Sequence, residues 1–143
     1  MEGRRLHEPP VRPLVLLVDG HDDTLALHGI ALSAQGFNVA ASSDGTEAFR
    51  WACQLHPDIV VTELTLRRAT GWDLLTQMKR DPRTCDIPVV ILTGDARALT
   101  HARAIREGSA ALLIKPCPPG QLGVELRDVL QGHLAETRAA HSG

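Results

Sequence analysis

Tyrosine is absent from this 143-residue chain, and two Trp and two Phe are its only other aromatics apart from histidine. So thin a supply argues against a platform on which the bases of single-stranded nucleic acid would stack. Charge gives no better case for nucleic acid or an anionic membrane: 15 Lys and Arg stand against 17 Asp and Glu, a formal net charge of −2. Long hydrophobic runs are missing too. The longest extend for about five residues, where a membrane-spanning helix takes about 20. The opening MEGRRLHEPPVRP carries arginines but no apolar stretch, so it lacks the form of a secretory signal. Cysteine is scarce: Cys53, Cys85 and Cys117 are odd in number, widely spaced and without a C-x-x-C pair. They read as reduced thiols of a cytoplasmic protein, not as disulfides or zinc ligands, a reactive thiol at Cys117 being the alternative.

What is present is an ordinary globular composition, 43% hydrophobic and 22% charged, long enough for one domain with a real core. Apolar runs of strand length alternate with segments of helical period. LVLLV (14–18), FNVAA (37–41), DIVVT (58–62), PVVIL (88–92) and AALLI (110–114) are the strand candidates. Four are near-continuously apolar, as strands covered on both faces of a parallel sheet are; the second is more polar and suits an edge. Between them Leu27-Ile30-Ala31-Ala34, Ala48-Trp51-Ala52-Leu55 and Gly71-Leu74-Leu75-Met78 each mark one face of a helix. A fourth helix is expected over 96–107 and a fifth over 119–135, with Leu122, Leu126, Val129 and Leu130 inward. Asp22 or Asp23 suits the cap of the first helix and Asp44 that of the second, while Gly36 and Gly108 suit helix ends. The domain is read as 13–135, with flexible tails at 1–12 and 136–143.

Five strands alternating with five helices make an α/β (βα)5 unit. Right-handed crossovers then favour a doubly wound, flavodoxin-like parallel sheet in the order 2-1-3-4-5. Ligands of such sheets bind beyond the carboxyl ends of the strands, where strand order reverses. The residues following the apolar runs there are Asp19, Glu63, Thr93 and Lys115. Two carboxylates, a hydroxyl and an ammonium converge on one edge.

With those residues in place, the chain resembles the receiver domain of bacterial two-component response regulators over about 13–132. The resemblance rests on LVLLVDGHDDTLAL, HPDIVVTELTLRRATGWDLL, DIPVVILTGDA and GSAALLIKPCPP, in order and at family spacing. It implies an acidic pair after strand one that binds magnesium, and an aspartate after strand three that takes a phosphoryl group from a histidine kinase. It implies also a Thr or Ser and a Lys that hold the phosphoryl oxygens, with a cis bond between that Lys and the following proline. Asp19, Thr93 and Lys115 match, and Pro116 is the cis-proline candidate. Gly20 stands where the second acidic residue belongs, so a magnesium site on Asp19 and Glu63 would be weak or lost. Glu63 takes the phosphoacceptor position with its carboxylate one methylene, about 1.5 Å, further out, and catalytic alignment tolerates little misplacement. Arg67 replaces a common loop proline. Leu112 replaces an aromatic that swings inward on activation.

Several of these residues have a plainer reading. Asp19 is either a metal ligand or simply the ion-pair partner of Lys115. His21, Asp22 and Asp23 either substitute for the missing ligand or cap the first helix, with His21 exposed. Thr93 is a switch hydroxyl or a local cap. Arg67 and Arg68 read as a solvated loop, Trp51 as packing, and Trp72 lies near the pocket. His28, His56 and His101 read as scattered surface histidines.

The expectation is therefore a stand-alone, atypical receiver in phosphorelay signalling, not an enzyme. It would act by binding a partner, a histidine kinase or a downstream effector, and be independent of aspartyl phosphorylation through a Glu63–Lys115 pair. The face of helix four, strand five and helix five would carry that contact or a homodimer. The alternative is a phosphorylatable receiver with weak magnesium-dependent transfer. A flavodoxin-like cofactor-binding enzyme is less well supported, because DGHDDT after strand one is acidic and would repel phosphate.

Overall fold

The structure, a computed structural model, describes residues 11–142; within 137–142 it describes only helical backbone. The elements run β1 (Leu14–Val18), α1 (Asp22–Ala34), β2 (Asn38–Ser42), α2 (Gly45–Leu55), β3 (Ile59–Thr62), α3 (Gly71–Arg80), β4 (Val89–Thr93), α4 (Ala98–Arg106), β5 (Ala111–Ile114) and α5 (Pro119–Ser142). All pairings are parallel and the order is β2-β1-β3-β4-β5, as the alternation of elements requires. No helix among the described residues is long and apolar enough to cross a membrane.

Side chains of each central strand alternate between two cores, which is the period-2 geometry of the pleat. Leu16, Val18, Val60, Val89 and Ile91 meet Ala48 and Ala52 of α2, Leu74, Leu75 and Met78 of α3, and Ala104 of α4. Val15, Leu17, Ile59, Val61, Val90 and Leu92 meet Leu32 of α1, Phe37, and Leu122, Leu126 and Leu130 of α5. Burial on both faces explains why these strands carry no polar alternation.

Four local expectations need correction. The second strand starts one residue later than expected, because Phe37 is fully buried in the α1/α5 core and its ring lies under the Arg127 guanidinium, 4.4 Å from the centroid. In α1 the inward residues are Leu25, His28 and Leu32, whereas Leu27 and Ile30 are exposed. Neither Asp22 nor Asp23 caps α1. The cap is His21, whose side chain makes no capping bond, and the two aspartates lie in the first turn, where they still suit the helix dipole. Asp44 does cap α2, accepting from the N–H groups of Thr46 and Glu47 at 2.8 and 3.1 Å. An unforeseen capping box, Thr70 with Asp73, starts α3. The fifth helix continues through Ser142, over residues expected to be a tail, while the tail expected at 1–12 lies mostly outside the described residues.

Gly71 ties α3 to the end of β3. Its N–H donates to the Leu64 carbonyl at 2.8 Å, and a Cβ there would run into the Glu63 carbonyl oxygen. Helix propensity alone favours Ala over Gly by about 1 kcal/mol. Steric overlap with backbone is expected to win: Gly71→Ala should lose about 1–3 kcal/mol, read as a lower urea midpoint at unchanged m. A midpoint that rises would show that the close approach relaxes freely.

Candidate functional site

Parallel pairing brings the carboxyl ends of β1, β3 and β5 to one edge. The Asp19 N–H donates to the Ser42 carbonyl at 3.1 Å, the Glu63 N–H to the Val18 carbonyl at 2.9 Å, and the Lys115 N–H to the Thr93 carbonyl at 2.8 Å. Each functional residue is thus held by main-chain bonds that extend the sheet, before its side chain makes any contact.

The Lys115 ammonium reaches Asp19 Oδ2 at 2.7 Å and Glu63 Oε2 at 3.1 Å. The side chains of Asp19 and Glu63 are only 7% and 11% exposed, and a carboxylate so far out of water needs a partner. Their other oxygens are also occupied. Asp19 Oδ1 accepts from the His21 N–H at 2.9 Å, with the exposed His21 ring 3.3 Å away, and Glu63 Oε1 accepts from the Leu64 N–H at 2.8 Å. Burial pushes the Lys115 ammonium down, but hydrogen bonds to Asp19 and then Glu63 outweigh it, and its pKa is raised. The ion-pair reading of Asp19 and the expected Glu63–Lys115 pair are thus both present in the structure.

The remaining residues divide. The Lys115-Pro116 bond is cis. Thr93 is buried in the wall, and its hydroxyl accepts from the Asp95 N–H at 3.2 Å, a local turn contact. Leu112 packs from β5 against the α2/α3/α4 core. Arg67 and Arg68 are exposed; Arg68 pairs with Asp44 at 3.0 Å, while the main chain of Arg67 bonds Ser43 and Gly45. Trp72 packs on the same core under the Arg103 guanidinium, 4.3 Å from its ring centroid. Cys117 is half-buried, and burial first, then Glu125, pushes its thiol up, the reverse of an activated thiolate. His56 and His101 are exposed as expected, but His28 is not. It is 6% exposed on α1 and lines a small cavity with Asp19 and Glu63, and its Nδ1 has no hydrogen-bond partner. A histidine on an otherwise apolar helix face was the available signal.

Magnesium takes about six oxygen ligands at about 2.1 Å. Here both carboxylates lie against an ammonium, Gly20 offers no side-chain oxygen, and among the described residues no three His, Cys, Asp or Glu side chains converge. A Cβ at Gly20 would already stand 3.2 Å from the Thr65 carbonyl oxygen. As arranged, these residues do not fit the ion.

Two measurements probe this charge cluster. Lys115→Met strands two carboxylates. Removing one partner of a fully buried pair costs about 3–5 kcal/mol, and the 23% exposure of Lys115 lowers the expectation to about 2–3 kcal/mol by urea unfolding at neutral pH. Adding Glu63→Gln to that variant should recover part of the loss; no recovery would deny the pairing. The second is a pH titration. Burial first, then the nearby Lys115 ammonium, holds His28 below its ordinary pKa of 6.5, against the pull of Asp19. The unfolded chain therefore binds this proton more readily than the folded one. Stability is full above pH 6.5 and falls as pH drops below it. His28→Leu should flatten the fall in urea midpoint between neutral and mildly acid pH; an unchanged slope would deny the role.

A family model described as the response regulator receiver domain matches residues 15–127. Among curated proteins, the gliding motility regulatory protein of Myxococcus xanthus is 32% identical over 131 residues, covering 87% of this chain and 16% of that protein. The DNA-binding dual master transcriptional regulator RpaA of Synechocystis is 29% identical over 119 residues, covering 83% of this chain and 49% of its own. The chain thus spans about half or less of these relatives. Among solved structures, a response regulator from Desulfuromonas acetoxidans superposes with a TM-score of 0.76 at 31% identity, over 82% of this chain and 96% of the other. The chemotaxis response regulator CheY4 of Vibrio cholerae does so with 0.77 at 22% identity, over 82% and 98%, a likeness of fold. With a sheet of the same order and an acid–lysine cluster at its carboxyl edge, the chain belongs to the response regulator receiver domain family.

Proposed function

We propose that this receiver serves two-component signalling by binding a protein partner, with its pocket set by Glu63 and Lys115 and not by aspartyl phosphorylation. The observation that carries this reading is the Lys115 ammonium lying between Asp19 Oδ2 and Glu63 Oε2 at 2.7 and 3.1 Å. A carboxylate with one oxygen on an ammonium and the other on the Leu64 N–H is poorly placed to attack a phosphoryl donor. The missing magnesium ligand at Gly20 points the same way, since that ion offsets the charge of such an attack.

Glu63 brings about one negative charge, where a phosphoryl group brings about −1.5 to −2 at neutral pH. That charge is permanent. The pocket is therefore held in one arrangement, and Leu112 lacks the polar tip with which an aromatic there would report a change. The partner then meets a constant surface. Leu99 and Ile105 of α4, Ile114 of β5 and Val124 of α5 are exposed and supply apolar contacts on that side of the sheet. A histidine kinase or a downstream effector is the class of partner, in a cytoplasmic setting.

Incubation with Mg²⁺ and acetyl phosphate, followed by intact mass, tests the reading on the wild type and on Glu63→Asp. No phosphate adduct is expected on the wild type. An adduct on Glu63→Asp alone would show that the extra methylene by itself blocks the chemistry. A stoichiometric adduct on the wild type, labile as an acyl phosphate is, would overturn the proposal in favour of a working phosphorelay receiver.

A further inference from the structure

The β2 edge of the sheet is the outermost strand in the order, and among the described residues only β1 pairs with it. Exposed edges are usually protected by a charge, a proline or a bulge. The strand Asn38-Val39-Ala40-Ala41-Ser42 has no charge and no proline. Beside it a groove is lined by Ala40, Ala41, Trp51, Gln54 and Leu55, with Leu55 exposed. On the opposite face α1, which packs on β2, presents Ile30 with 73% of its surface open. An unprotected row of N–H and C=O groups is thus bordered by apolar side chains on the α2 side.

Charge decides what fits there. At the first residue of the strand, exposed Arg12 donates to the Asn38 side chain at 3.2 Å and to the Phe37 carbonyl at 3.1 Å. At the last residue, Ser42 Oγ donates to Glu47 Oε1 at 2.7 Å. At that end Asp44 is already paired with Arg68 at 3.0 Å, so the edge carries the Arg12 guanidinium at one end and the Glu47 carboxylate at the other. A strand running antiparallel to β2 and carrying the same two ends would set each cation beside an anion, and a second copy of this chain is such a strand. We propose that two copies pair antiparallel through β2, centred on Ala40, so that the two sheets become continuous. Centring on Ala40 uses all five residues, placing Asn38 opposite Ser42 of the second copy and bringing Arg12 towards Glu47. Glu47 lies 3.9 Å from Arg50, a loose contact that leaves the carboxylate available to a closer cation. The α4–β5–α5 side lies at the other end of the sheet order and stays free for a partner.

The full chain in sedimentation velocity, over a range of concentrations, is expected to show a monomer–dimer equilibrium. Ala41→Lys, at an exposed strand position, should weaken it by about tenfold or more. Arg12→Glu should weaken it also, and Arg12→Glu/Glu47→Arg should restore it. Register is read by cross-linking in a Cys53→Ser/Cys85→Ser/Cys117→Ser background. Directly opposed residues have Cα atoms about 4.5–5.5 Å apart, within disulfide reach, so Ala40→Cys should cross-link. Ala41→Cys should not, because its two copies would stand about 7–8 Å apart on the diagonal. A chain monomeric at every concentration, or a dimer indifferent to Ala41→Lys and not cross-linked through Ala40→Cys, would overturn the proposal. A dimer that appears only after residues 1–10 are deleted would overturn it too, assigning the edge to the chain's own N-terminal segment.

Discussion

The Lys115 ammonium between Asp19 and Glu63 is the contact around which the carboxyl edge is arranged. Two nearly buried carboxylates on neighbouring strand ends repel, and taking each of them out of water is costly. A single cation at 2.7 and 3.1 Å removes both difficulties. It also joins β5 to β1 and β3, strands that do not pair with it in the sheet. Position 115 therefore closes the edge across a gap that main-chain hydrogen bonding leaves open. Coulomb attraction is strengthened here by the burial of both carboxylates, and desolvation is costly for the same reason, so the cluster constrains conformation more surely than it adds stability.

The sheet makes that contact possible by fixing three strand ends in register. Pairing of Val18 with Thr62, and of Thr93 with Ile114, puts Asp19, Glu63 and Lys115 one residue beyond their partners. The strands are held by two cores, so their ends cannot tilt without disturbing α2, α3 and α4 on one face or α1 and α5 on the other. Gly71 tightens the β3 end further, since its lack of a side chain lets α3 approach the Glu63 main chain. Preorganisation of this kind suits a binding surface as well as a reaction.

Much of this was legible in the sequence, and the exceptions have physical causes. Strands buried on both faces announce themselves by continuous apolar runs, so β1, β3, β4 and β5 could be placed within a residue. The more polar β2 was placed as closely, one residue early, because Phe37, apolar and adjacent, belongs to the core without belonging to the strand. Helix α1 misled more seriously. Leu25-His28-Gly29-Leu32 and Leu27-Ile30-Ala31-Ala34 share the same spacing, and the second series is the more apolar. Yet the first faces inward, and periodicity could not choose between them. His28 was lost with that choice. Asp19, Glu63, Thr93 and Lys115 were found because strand ends locate them, and both pairs expected of Lys115 form; that one ammonium holds both carboxylates at once depends on side-chain directions that spacing does not carry.

Gly20 and Glu63 are consistent with one another electrostatically. Asp19 and Glu63 against Lys115 leave the cluster one negative charge from neutral, with His28 held uncharged beside it. A carboxylate at position 20 would add a third anion, and one ammonium could not balance three in so dry a site. A divalent cation would then be needed to hold the edge together. With glycine there the demand falls to what a single lysine supplies, and the Thr65 carbonyl oxygen lies where a Cβ at Gly20 would meet it at 3.2 Å. The longer Glu63 side chain reaches the lysine while its second oxygen folds back to the Leu64 N–H. Glycine at position 20 and glutamate at 63 thus go with the same result, a charge cluster closed by groups of its own chain.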